Sequence, residues 1–185
     1  MAITTISDLT SAIRTGARSN LFRVTIPTFQ GGDVGESAIV EKFSYLCKGA
    51  QLPGSTLGLI EVPFMAGRRF KLAGDRTFVE WTTTIINDSD FKVREALEDL
   101  QRIYGVTDYQ SDIAKTNTGG SETDFSTLEV EQFDQAGNVT CKYTLENCWP
   151  LDISTIDLSY DSTDTIEEFT VTWAYDYYTT DFDPT

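Results

Sequence analysis

Alternation of apolar and polar side chains dominates the chain. In LFRVTI (21–26), FSYLCKGA (43–50), TFVEWTTTII (77–86), STLEVEQF (126–133), VTCKYTLE (139–146) and EEFTVTWAYDYY (167–178), the two classes exchange places at nearly every second residue. β-Branched and aromatic types are frequent there, as expected of strands with one buried face. In the last run Phe169, Val171, Trp173, Tyr175 and Tyr177 share one face, and Glu168, Thr170, Thr172 and Asp176 share the other. One side therefore packs on a core while the other meets solvent or a polar partner. DQAGN (134–138) lies between two such runs and signals a hairpin turn. The pattern predicts a mainly β chain, folded as an antiparallel barrel or sandwich.

A helical period interrupts the strands at about 90–104. Val93, Ala96, Leu97, Leu100, Ile103 and Tyr104 form one stripe, Ser89 is placed to cap the N-terminus, and Gly105 supplies the stop. Arg94 with Glu98, and Glu98 with Arg102, are i,i+4 pairs on the polar side. A shorter helix is predicted from Ser7 to Thr15, ended by Gly16. The polar stretches 30–38 and 105–123, rich in Gly, Ser, Thr and Asp, read as exposed loops.

The stretch 48–69 differs from those two. Leu52, Leu57, Leu59, Ile60, Val62, Phe64 and Met65 make it apolar, while Pro53, Pro63 and its glycines argue against regular structure. An apolar loop either folds onto its own core or docks on another chain. The basic residues that follow favour docking. Leu52, Leu57, Leu59, Ile60, Val62, Phe64, Met65, Arg68, Arg69 and Lys71 are accordingly the candidate subunit-interface residues.

At 185 residues, with eleven Phe, eight Tyr and three Trp, the chain has the size and aromatic content of one globular domain, taken as 1–185. Its odd set of cysteines, Cys47, Cys141 and Cys148, has no metal or redox spacing and reads as buried free thiols. No apolar run approaches bilayer-spanning length, and MAITTISDLT lacks the basic and apolar regions of a secretory signal. The expectation is synthesis in a cytosol with no membrane anchor.

Charge changes the picture further. Residues 1–103 hold twelve basic and twelve acidic side chains, whereas 104–185 hold Lys115 and Lys142 against seventeen acids, so the formal net charge of −15 sits in the second part. Such asymmetry suits an assembly in which unlike patches meet. The basic island GRRFKLAGDR (67–76) is an obvious candidate for phosphate binding. Few basic residues extend it into a groove, however, and the net charge repels a polyanion.

Catalytic and metal motifs are weak. With no histidine, the commonest general base and metal ligand is missing. Twenty-nine acids allow many carboxylate pairings but single out none. DLSYDSTDTIEE (157–168) has oxygen ligands at EF-hand positions, yet Ser162 stands where glycine is needed and its flanks are strand-like. It reads as a strand end, a turn around Asp161–Thr165 and the start of the next strand. GGDVGES has the glycines of a phosphate loop without its Lys-Ser/Thr end. No catalytic, metal or cofactor-binding set is predicted.

KLAGDRTFVEWTTTIIND (71–88), followed at once by the amphipathic helix, and CWPLDISTIDLSYDSTDTIEEFTVTWAYDYY (148–178) resemble the tail tube proteins of contractile-tailed bacteriophages of the T-even type. SNLFRVTI, and LPG followed by VPFMAGRR, fall in matching order, so the resemblance runs from about Asn20 to Tyr178. The polar stretches 30–38 and 105–123 are longer than the family pattern. The resemblance implies a β-barrel or sandwich subunit, six of which form a ring with a continuous inner barrel. It implies stacking of those rings into a tube inside a contractile sheath, with baseplate and tail terminator proteins as further partners. DNA would pass through the lumen without specific binding, and the place of action is the virion tail. A tube of a related injection or secretion system, and an acidic carbohydrate-binding β-sandwich, are the alternatives.

Overall fold

The computed structural model describes residues 6–7, 10, 16–28, 36–104 and 126–182. Most of the short helix expected at 7–15, the loop at 105–123, most of 30–38 and the Glu98–Arg102 pair lie outside the described residues.

Among the residues from Phe22 onward that are described, strands and helices follow one another as β1 (Phe22–Thr28), α1 (Glu36–Leu46), β2 (Cys47–Ala50), β3 (Ser55–Phe64), β4 (Arg68–Phe78), β5 (Trp81–Ile86), α2 (Lys92–Tyr104), β6 (Ser126–Phe133), β7 (Val139–Ile153), β8 (Glu168–Ala174) and β9 (Tyr177–Phe182). All strand pairings are antiparallel. β1, β6, the first half of β7 and β9 form one four-stranded sheet, while β2, β5, β8 and the second half of β7 form another. The long β7 belongs to both because it bends at Asn147, whose φ of 57° is left-handed. The Asn147 side-chain amide donates to Asp176 at 2.8 Å, where the chain passes from β8 into β9. The two bends are thereby tied together, and the sheets fold over one core.

That core follows from the alternation. Val24, Ile26, Leu128, Val130 and Leu145 point inward from the first sheet, and Trp81, Ile85, Phe169, Val171 and Trp173 from the second. Ile39 and Phe43 of α1 and Val93, Ala96, Leu97 and Leu100 of α2 complete it. No pairing joins β1 to β2. The described residues thus make a sandwich-like arrangement, not a closed barrel.

DQAGN forms the expected β6–β7 hairpin. The Asp134 carboxylate accepts from the Ala136 and Asn138 backbone N–H groups at 2.7 and 3.0 Å, and Gly137 supplies the φ of 87° that the turn needs. The turn read around Asp161–Thr165 falls in a non-strand segment, but the flanking strand end and strand start read within 157–168 do not form there: β7 stops at Ile153 and β8 begins only at Glu168.

Several expectations are corrected. Residues 43–46 are helical and not extended, since Ile39 and Phe43 share a buried helical face one turn apart. Ser89 does not cap α2. Its hydroxyl bonds Asp88, and Phe91, at a φ of 54°, takes the cap position with its carbonyl accepting from the Glu95 N–H at 2.9 Å. The run 167–178 is two strands, broken at Tyr175–Asp176, so Tyr177 leaves the buried face and is 48% exposed. The stretch 48–69 is regular after all: it contains the end of β2, all of β3 and the turn into β4.

Candidate functional site

β3 and β4 pair with each other alone, as a two-stranded ribbon separate from the main sheets. At about 3.4 Å per residue, the ten residues of β3 extend it some 34 Å. Met65–Gly67 make its tight tip, with Ala66 and Gly67 at φ of 64° and 78°.

Register divides the hairpin into two faces. Ile60 lies opposite Leu72, Val62 opposite Phe70 and Phe64 opposite Arg68, so these six share one face. Glu61 opposite Lys71, Pro63 opposite Arg69 and Leu59 opposite Ala73 make the other. The first face is apolar and bare: Phe64 is 68% exposed, Phe70 62% and Ile60 51%. On the second, Glu61 takes Arg69 at 2.5 Å. Arg68 and Lys71 have no carboxylate partner among the described residues.

Gly74-Asp75, a residue pair common in turns, here makes a bulge within β4 opposite Gly58. A Cβ on Gly74 would lie 3.0 Å from the Gly58 carbonyl carbon, so the two backbones approach as closely as glycine permits.

An aromatic clamp holds the root of the hairpin to the body. Arg76 of β4 stacks over Phe78 and Tyr178, at 5.0 and 5.2 Å from the ring centroids, and donates to the Tyr178 hydroxyl at 3.1 Å. That hydroxyl in turn donates to Ser55 of β3 at 3.3 Å. Bonding to Ser55 and to Arg76 holds the Tyr178 phenol below its ordinary value. Both hairpin strands therefore converge on one side chain of β9. Tyr178→Phe is expected to lower stability by only about 1 kcal/mol but to speed hydrogen exchange throughout 55–78 several-fold. Unchanged exchange would show that the root is fixed by other contacts.

The candidate interface residues are thus brought together on one element, apart from Leu52, which stands 48% exposed just before β3. Phe70 and Leu72, and the clamp residues Arg76 and Tyr178, were not among them. The signal that finds Phe70 and Leu72 is the alternation through RRFKLAG, which puts both on the Arg68 face. Nothing in the sequence pointed to the clamp.

Chemistry elsewhere is quiet. Burial pushes the Cys47 and Cys148 thiols up to about 12, which keeps them protonated and unreactive at neutral pH. All three cysteines are free and buried. No group of metal-ligating side chains occurs among the described residues. No helix among them is long and apolar enough to cross a membrane.

The charge division along the sequence is not a division in space. Arg23 pairs with Glu131 at 2.6 Å, and Lys48 with Glu168 at 2.5 Å, each joining a base from the first part to an acid from the second. Lys142 pairs with Glu129 at 2.8 Å.

A family model described as phage tail tube protein matches residues 17–181. Tail tube protein gp19 of Enterobacteria phage T4 is 32% identical over 177 residues, 94% of this chain and 98% of that protein. The phage T6 protein of the same name is 33% identical over the same shares. Among solved structures, a chain of the anti-feeding prophage tube-terminating cap aligns with a TM-score of 0.65 at 17% identity, over 98% of this chain and 99% of that one. A chain of the PVC extracellular contractile injection system sheath–tube complex aligns at 0.58 and 12% identity, over 97% and 99%. Those two share the fold. On the match of 17–181 and the identity to the T4 and T6 proteins along nearly their whole length, the chain belongs to the phage tail tube protein family.

Proposed function

We propose that the chain is the structural, non-catalytic subunit of a contractile phage tail tube, in which six copies close into a ring, rings stack, and viral DNA leaves through the lumen. The hairpin carries this reading. The body already has its own core, yet 55–78 presents a bare apolar face that a monomer has no use for. Docking of that face on neighbouring copies buries it. Half-exposed side chains of this kind each contribute about 1 kcal/mol when covered.

The four-stranded sheet fits the ring. β1 and β9 stand at its two sides with one strand neighbour each, and a free backbone edge is a template for pairing with another chain. In the ring, β9 of one copy continues onto β1 of the next, and the outer face of this sheet lines the lumen. That face carries Arg23 and Lys142 against Glu129, Glu131, Glu146 and Asp181, two cations against four acids. Both cations are already paired, so the wall gives DNA phosphates no counterion-release gain.

The structural neighbours come from assemblies with a baseplate, a sheath and a terminating cap, which supports partners of those kinds here. Negative-stain imaging of the purified chain is expected to show rings or hollow filaments. Those filaments should bind no double-stranded DNA at low ionic strength, where electrostatic binding is strongest. A protein that stays monomeric at every concentration would refute the tube, and micromolar, salt-sensitive DNA binding would refute the passive wall.

A further inference from the structure

We infer that the hairpin's counterpart is the 154–167 segment at the opposite end of a second copy, so that the contact runs between successive rings. This rests on the tube reading above and names the partner of that same surface.

The argument begins with direction. β2, β5 and β8 run side by side, with Ala50 opposite Thr83 and Trp81 opposite Trp173 at one end, and Cys47 opposite Ile85 and Ile86 opposite Glu168 at the other. The hairpin leaves at the first end, where Gln51–Gly54 and Val79-Glu80 connect it to β2 and β5. The Trp81 indole N–H donates to the Gln51 carbonyl there. The segment 154–167 leaves at the second end, between Ile153 of β7 and Glu168 of β8. Six residues of β5 separate the two exits by about 20 Å. One copy therefore presents the hairpin at one end and the segment at the other.

The segment is built and not merely long. Ser154 exchanges backbone and side-chain hydrogen bonds with Thr170 at 2.9 and 2.8 Å, and Asn87 holds Glu167 through both backbone and side chain at 2.8 and 2.9 Å. Its crown, closed by a turn in which the Ser162 N–H donates to the Ser159 carbonyl, points its chemistry outward. Leu158 is 80% exposed, Ile166 72%, and Tyr160 fully exposed. Asp157, Asp161 and Asp164 make no ion pair among the described residues.

The two ends are unlike and complementary. The hairpin offers an apolar face that carries the unpaired Arg68, with the unpaired Lys71 on its reverse side; the segment offers apolar side chains flanked by three unpaired carboxylates. Within one copy the exits are at opposite ends, so the match is met by another copy. A contact between two different patches does not close on itself and propagates along an axis.

Charge exchange tests the pairing. Arg68→Glu with Lys71→Glu, and separately Asp161→Lys with Asp164→Lys, are each expected to lower the yield of sedimentable tube at least tenfold while leaving the subunit's melting temperature unchanged. The quadruple variant, with charges swapped across the contact, should recover to within threefold of the unaltered chain. Met65→Cys with Tyr160→Cys, oxidised in assembled tubes, should give covalent chains longer than one ring. Normal tubes from either double variant, or failure of rescue together with no cross-link in tubes, overturns the pairing. Tubes that form but no longer take up sheath after the Asp161/Asp164 change would assign the segment to a different protein, and likewise overturn it. If the unaltered chain forms no tubes, the tube reading falls and takes this inference with it.

Discussion

Replacing Phe64 and Phe70 together with Asp is expected to abolish tube assembly while leaving the subunit folded. Both rings are mostly exposed, so neither contributes to the core, and the cost of removing them falls on the docked state. There the new carboxylates would be buried against apolar surface without partners, which costs several kcal/mol. With about 1.4 kcal/mol per factor of ten, association weakens on the order of a thousandfold per contact. Asp is also a poor strand residue, by up to about 1 kcal/mol, which could loosen the hairpin itself. Phe64→Thr with Phe70→Thr separates the two effects, because Thr keeps strand propensity and loses only the apolar area. That pair should still weaken assembly at least tenfold. Unimpaired tubes from the Thr pair would show that this face does not dock.

The hairpin was also the part least legible as structure. Alternation identifies a strand when one face is buried and the other wet, as in β5, β6 and β8, where buried positions recur at every second residue. Neither strand of the ribbon has a buried face, and in β3 Leu59 lies on the other side from Ile60, Val62 and Phe64, so no clear period is left to read there. Pro63 and the glycines then looked like breakers. In fact β3 has one neighbour, and a proline without an N–H is tolerated on its free side. Gly58 and Gly74 make the bulge and Gly67 the tip. Apolar content without a period nonetheless pointed to an outward surface, and Leu57, Leu59, Ile60, Val62, Phe64 and Met65 are all exposed.

Other differences have equally local causes. Phe43, Tyr45 and Cys47 alternate in type, but a window of eight residues cannot distinguish that from the 39, 43 helical spacing that tertiary packing selected. The unbroken reading of 167–178 missed that Tyr175–Asp176 is the bend opposite Asn147. That bend transfers the inward role from Tyr177 to Tyr178, whose ring meets Phe78, Tyr143 and Tyr175. The clamp at the hairpin root depends on this shift of one residue. The balance of charge by sequence position likewise hid the ion pairs between strands of one sheet, which join residues more than a hundred positions apart.

Trp173→Ala is expected to give the largest loss of subunit stability of any single substitution in the body. Trp173 has no exposed surface, lies on β8 between β7 and β5, faces Trp81 and Pro150 across the sheet, and meets Phe43 of α1 edge-on at 6.3 Å. Its indole N–H donates to the buried Thr83 hydroxyl at 3.0 Å. Truncation leaves a cavity bounded by helix and sheet that cannot both close in, costing about 3–5 kcal/mol. The stranded Thr83 hydroxyl adds about 1–2 kcal/mol. Against the roughly 5–15 kcal/mol that holds a typical domain together, the variant should unfold at a much lower urea concentration with little change in the slope of the transition. Trp173→Phe keeps most of the ring volume and loses the donor, so about half of that loss or less is expected. Equal losses for Ala and Phe would show that the hydrogen bond, and not the packing of α1 on the second sheet, sets the stability of the body from which the hairpin projects.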